Sequence, residues 1–119
     1  MKQILLAILL AGTLLTFAVA VQAATITATL SWTDNSNNED GFRIERGSLI
    51  AGPFVQVGVT LANVVTFIDA ALLPGTQYCY RVIAFNVVGN SAPSNVACIT
   101  TQSTPAAPGN VTVTVVVTP

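Results

Sequence analysis

The stretch Tyr78-Cys79-Tyr80-Arg81-Val82-Ile83-Ala84-Phe85-Asn86, followed by Val87-Val88-Gly89-Asn90 and by Ser91 through Thr101 with its Cys98, decides the fold. It reads as strand, turn, strand, because β-branched and aromatic residues alternate on either side of a Gly-Asn pair. If Cys79 lies opposite Cys98 in an antiparallel hairpin, paired residue numbers sum to a constant, Asn86 faces Ser91, and residues 87–90 close the turn. Cross-strand Cβ atoms are closest at non-hydrogen-bonded pairs, so a bond between the two sulfurs is expected to occupy such a pair. A bridge closing a loop of this length contributes about 3 kcal/mol. Cys79 and Cys98 are the two cysteines of the chain, and in an exported protein a disulfide between them is the default.

Export is expected from the amino terminus. Lys2 supplies a positive start, Ile4 to Leu15 is nearly continuous Leu, Ile and Ala, and Val21-Gln22-Ala23 ends the segment with small residues at the positions a signal peptidase reads. Residues 1–23 are therefore assigned as a signal peptide, removed from a secreted, extracellular or periplasmic protein. An uncleaved anchor is the alternative, and it is the one route by which this chain meets a membrane. Thr13 stands where a bacterial lipoprotein has its lipidated cysteine.

The chain has 119 residues, 52% of them hydrophobic and 8% charged. Residues 24–119 on their own are about 47% apolar, an ordinary value for one small globular domain. Without Lys2, three arginines face five acids. Such a balance offers no clustered basic face, so nucleic acid is not an expected partner. Histidine is absent, which removes the commonest general base and metal ligand.

Upstream of the cysteines the apolar period is again two. Ile26, Ala28, Leu30 and Trp32 alternate with Thr and Ser, and Phe42, Ile44 and Arg46 alternate with Arg43 and Glu45. Turn signals separate the runs at 34–41, 47–53, 73–75 and 89–90. Short strands at this spacing predict an all-β, two-sheet antiparallel sandwich of immunoglobulin-like type.

In order and spacing, Leu30-Ser31-Trp32-Thr33-Asp34, Asn38 to Arg46, Phe67-Ile68-Asp69, Leu72-Leu73-Pro74-Gly75-Thr76-Gln77-Tyr78 and Tyr80 to Ser91 resemble a fibronectin type III domain of the bacterial extracellular kind. The resemblance covers residues 28–101 within a domain placed at 24–101. It implies a core of Leu30, Trp32, Phe42, Ile44, Phe67, Leu72, Tyr78, Tyr80 and Val82, with Trp32 on the second strand of the family pattern. It also implies that the Tyr78 hydroxyl bonds to backbone a few residues upstream, the tyrosine-corner arrangement. Family members open with a strand A, for which the expected cleavage leaves only Ala24 and Thr25. Residues 102–119, a Pro-rich linker followed by Val111-Thr112-Val113-Thr114-Val115-Val116-Val117, are similar to the start of a further repeat. Three explanations stand side by side: a truncated reading frame, a tail that fills its own vacant strand, or a tail donated to another molecule, with self-association through residues 110–118.

The candidate chemistry is sparse. The loop Asp34 to Gly41 invites a calcium reading, but taking Gly41 as the sixth position of a helix-flanked loop puts Gly47 where a bidentate Glu is required. Glu39 and Asp40 are adjacent, and adjacent carboxylates on a loop do not flank a glycosidic bond. Ser and Thr nucleophiles lack a His or Lys base beyond residue 23. No catalytic residue, cofactor or metal is therefore assigned. Arg43, Glu45 and Arg81 are expected to form a solvated cross-strand cluster, and Ile83 and Phe85, on the face away from Tyr78, are either an exposed ligand patch or edge hydrophobes covered by a neighbouring strand or the tail. The resemblance implies a non-catalytic binding or spacer module that contacts a protein or polysaccharide surface, of the kind attached to adhesins or carbohydrate-active enzymes.

Overall fold

A computed structural model of the chain describes residue 18 and residues 24–119; the expected signal peptide, residues 1–23, lies almost entirely outside the described residues. Six strands follow one another: β1 (Ile26–Ser31), β2 (Gly41–Gly47), β3 (Val55–Leu61), β4 (Thr66–Leu72), β5 (Gln77–Phe85) and β6 (Ala97–Thr100). β1 and β4 form a two-stranded sheet, and the second sheet has the order β3-β2-β5-β6. All pairings are antiparallel. The result is an all-β sandwich of two sheets, as the period-two patterning requires.

The core lies where the inward faces meet. Ala28 and Leu72 from the small sheet pack with Ile44 and Tyr80 from the large one, and Ile26, Leu30, Trp32, Val57, Phe67, Tyr78 and Val82 surround them. Phe42 is buried beside this cluster and meets Trp32 edge to face, with ring centroids 5.4 Å apart, a favoured aromatic geometry. Trp32 thus flanks the interior rather than centring it. It also sits one residue past β1, where its N–H donates to Val65 O. Gly58 on β3 is required by this packing, because a Cβ there would collide with the Phe67 ring that crosses over it.

Two expectations about the hairpin need correction. The constant sum holds from Gln77↔Thr100 through Tyr80↔Ala97, but the turn end is displaced: Phe85 bridges Asn90, and Asn86 and Gly89 exchange backbone hydrogen bonds around Val87-Val88. The returning segment also becomes strand only at Ala97. Pro93 has no N–H to give a ladder, so residues 91–96 bulge. Ser91 and Ser94 repair the break, their hydroxyls accepting from the amides of Ala84 and Val82 at 2.9 Å each.

Residues 102–119, the linker and Val/Thr-rich segment similar to the start of a further repeat, run without regular structure, Val111, Val113, Val115 and Val117 standing 82–87% exposed. A strand exists only through hydrogen bonds to a neighbour, and in this chain the tail reaches no sheet edge.

Candidate functional site

Three groups of side chains stand out, and the strand registers place each of them. The first is the disulfide. The Cys79 and Cys98 sulfurs are bonded, with Cα atoms 4.0 Å apart, joining β5 to the edge strand β6. Thr101 N–H donates to Thr76 O, so residues 76 and 101 form a hydrogen-bonded pair, and by alternation 79 and 98 fall on a non-hydrogen-bonded one. Just beyond it, Thr101 is buried; its hydroxyl donates to Leu73 O and accepts from Thr76 N–H. Leu73, five residues upstream of Tyr78, donates its N–H to the Tyr78 hydroxyl at 2.9 Å, and Arg46 lies over the half-buried Tyr78 ring. One end of the sandwich is thus pinned by a covalent bond and a short polar network.

The second group lies between the sheets. Arg46 and Tyr80 are cross-strand partners facing inward from the large sheet, and Asp69, opposite core residue Ala28, faces inward from the small one. Arg46 Nη1 and the Tyr80 hydroxyl each donate to Asp69 Oδ2 at 2.7 Å. Burial raises the Tyr80 phenol well above its ordinary range, reinforced by the adjacent carboxylate, and the hydrogen bond to Asp69 raises the Arg46 guanidinium. Asp69 appears in the sequence only as the end of a Phe-Ile-Asp run. Its partners, 23 and 11 residues distant, become legible only once strands are paired across the two sheets.

The third group covers the outer face of the large sheet. Arg81 Nε pairs with Glu45 at 2.7 Å. The Arg43 guanidinium lies 4.1 Å from the centre of the Phe85 ring, and that of Arg81 4.3 Å from Phe54. Arg43 also donates to Asn90 and Gln56. Of the two readings of Ile83 and Phe85, the covered one holds, though what covers Phe85 is an arginine rather than a strand or the tail. Ile83 is buried and Phe85 is roofed by an arginine, because long cationic side chains lay their stems over apolar neighbours and their heads on aromatic faces.

The loop from Asp34 to Gly41 is closed on itself. Glu39 accepts from the Ser36 hydroxyl at 2.6 Å and from Asn63 N–H at 3.3 Å, and Asp34 accepts from Ser36 N–H. These bonds, that from Ser36 foremost, lower the Glu39 carboxyl below its ordinary value.

A groove of about 730 Å³ remains along the side of the sandwich where β1 and β6 lie across from each other. Leu30, Trp32, Tyr80, Val82 and Ile99 contribute to its lining. These side chains are interspersed with Thr29, Ser31, Thr33, Asn35, Ser94 and Asn95, hydroxyls and amides that hydrogen-bond but do not titrate, so the groove suits contact with another segment of chain rather than acid–base chemistry.

No family model matches the chain. It is 34% identical over 96 residues to Exoglucanase B of Cellulomonas fimi, covering 76% of this chain and 8% of that protein. It is 32% identical over 100 residues to a Kelch domain-containing protein of Sulfurisphaera tokodaii, covering 82% of this chain and 12% of the other. Against the Amylopullulanase of Thermoanaerobacter thermohydrosulfuricus the identity is 28% over 79 residues, 65% of this chain and 5% of that one. The chain thus spans a small fraction of the length of each relative. Among solved structures, the fibronectin type III domain of human fibronectin type III domain containing protein 3 superposes with a TM-score of 0.55 at 24% identity, covering 71% of this chain and 80% of that one. Two antiparallel sheets with this strand order, together with that superposition, identify the fold as that of the fibronectin type III domain.

Proposed function

We propose that this protein is a secreted, non-catalytic binding or spacer module of the kind that accompanies polysaccharide-degrading enzymes. One observation carries the reading: the chain matches short segments of Exoglucanase B and Amylopullulanase, each many times longer than the matched region. A segment that occupies 8% or 5% of such an enzyme is small enough to be an accessory unit. The internal chemistry supports this. The carboxylates of Asp69, Glu45 and Glu39 are each engaged by neighbours within the fold, which leaves none of the three poised as a general acid. A disulfide joining the last two strands fits an oxidising compartment outside the cytoplasm.

The experiment is a reducing-sugar assay of the purified chain on β-glucan and pullulan, run beside sedimentation with the insoluble polysaccharides. No release of reducing ends above the blank is expected. Hydrolysis that survives repurification would overturn the reading.

A further inference from the structure

We infer that the open edge of β1 is a docking site for residues 110–118 of a second copy of this chain, which adds there as a third strand of the small sheet. The edge is defined by register. Trp32 N–H bonds toward β4, as do its alternates Leu30 and Ala28 in the ladder, so the backbone groups of Thr29 and Ser31 point the other way. On that side no strand lies among the described residues. An unpaired edge is a template for another strand. Beside it runs the groove of about 730 Å³, in which Ala28, Leu30, Trp32, Val82 and Ile99 form an apolar wall among polar residues of the same strands and loops. Trp32 also carries a buried Nε1 with no hydrogen-bond partner, an unsatisfied donor on the wall of a site that an incoming strand would bring acceptors to.

The tail has the matching pattern. Val111, Val113, Val115 and Val117 share one face of an extended chain, Thr112 and Thr114 the other, and the valines stand open to solvent. Laid along β1, the first set meets the groove while Thr112 and Thr114 face water. A second molecule is the donor in this inference, because the molecule's own tail departs from the far end and would have to spend residues 103–109 stretched back along the sandwich before it could enter. Thr101 is tied to Leu73 and Thr76, at the pole where Ile26 of β1 pairs with Leu72. An antiparallel strand, the arrangement of every other pair here, enters at the Ser31 pole. Donor and acceptor lie on different surfaces, so the contact is head-to-tail and propagates into a series of oligomers or closes as a ring.

Sedimentation velocity of the full-length chain over a concentration series tests this, with the double variant Val113→Asp/Val115→Asp lacking the donor and Thr29→Pro lacking an edge N–H of the acceptor. The wild type is expected to form species above the monomer that grow with concentration, each variant alone to stay monomeric, and the two mixed in equal amounts to form a dimer that grows no further. A peptide of residues 109–119, titrated into the donor-defective variant, is expected to change the fluorescence of the chain's single tryptophan saturably; this arm decides should Thr29→Pro fail to fold. Monomeric wild type at every concentration, association that survives Val113→Asp/Val115→Asp, or a peptide without effect on Trp32 overturns the inference.

Discussion

The Tyr80 hydroxyl donates a 2.7 Å hydrogen bond to Asp69 and so ties the large sheet to the small one through the middle of the sandwich. Arg46 supplies the countercharge at the same carboxylate oxygen. Among the described residues the small sheet has two strands, and such a bridge fixes how the sheets face one another. Removing Asp69 strands a phenol and a guanidinium together. Asp69→Ala is therefore expected to cost about 2–4 kcal/mol, and Tyr80→Phe about 1–2 kcal/mol, in urea unfolding. Equal stability of Asp69→Ala and wild type would show that the bridge contributes nothing.

The same bridge sets an alkaline limit. The Tyr80 phenol is raised above its ordinary value of 10.0 in the folded protein, so the unfolded chain loses this proton first. Its contribution is complete below about pH 10 and is lost progressively as the pH climbs above it. Tyr80→Phe is expected to flatten the decline in melting temperature on the alkaline side; an unchanged slope would contradict this.

Acid acts at the other end of the molecule. Bonds from Ser36 and Asn63 hold the folded Glu39 carboxyl below its ordinary value of 4.5. Its contribution is therefore present above that value and lost as the pH falls through the lowered folded one. Glu39→Gln should remove this part of the acid sensitivity while leaving the alkaline limb unchanged, as read by melting curves from pH 2 to 7.

Gly58 and Phe67 make a steric prediction. With the ring lying across the glycine, Gly58→Ala forces the two strands apart and is expected to cost about 1–3 kcal/mol. The double variant Gly58→Ala/Phe67→Leu should recover part of that loss. A single variant as stable as wild type would mean that the ring moves aside freely.

Much of this architecture is legible in the chain. Alternation from Ile26 to Trp32 and from Phe42 to Arg46 announces strands, and the spacing of Cys79 and Cys98 sets the register of their ladder. Local signals fail where a distant partner decides. Pro93 breaks the ladder, and two serines mend it by reaching amides 7 and 12 residues away. Ile83 and Phe85 stay open between exposed and covered in the sequence, because the alternation gives the face of a side chain and not what lies on top of it. β3, Val55–Leu61, alternates Val55, Val57, Val59 and Leu61 with Gln56, Gly58 and Thr60, yet as an edge strand it leaves Val55, Val59 and Leu61 exposed, so its apolar set does not mark the core face. The Asp69 bridge joins three strands from two sheets, which no single stretch of sequence displays.

The disulfide is a stability device with a simple check. Cys79→Ala/Cys98→Ala is expected to lower unfolding free energy by about 3 kcal/mol, since the bridge closes a loop of 19 residues' separation.

The most direct test of the whole account is mass spectrometry of the protein recovered from outside the cytoplasm, digested without reductant. The account predicts one cross-linked peptide pair joining Cys79 to Cys98, separated by reduction. Two free thiols in the exported protein would contradict the clamped β5–β6 edge and the secreted module built upon it.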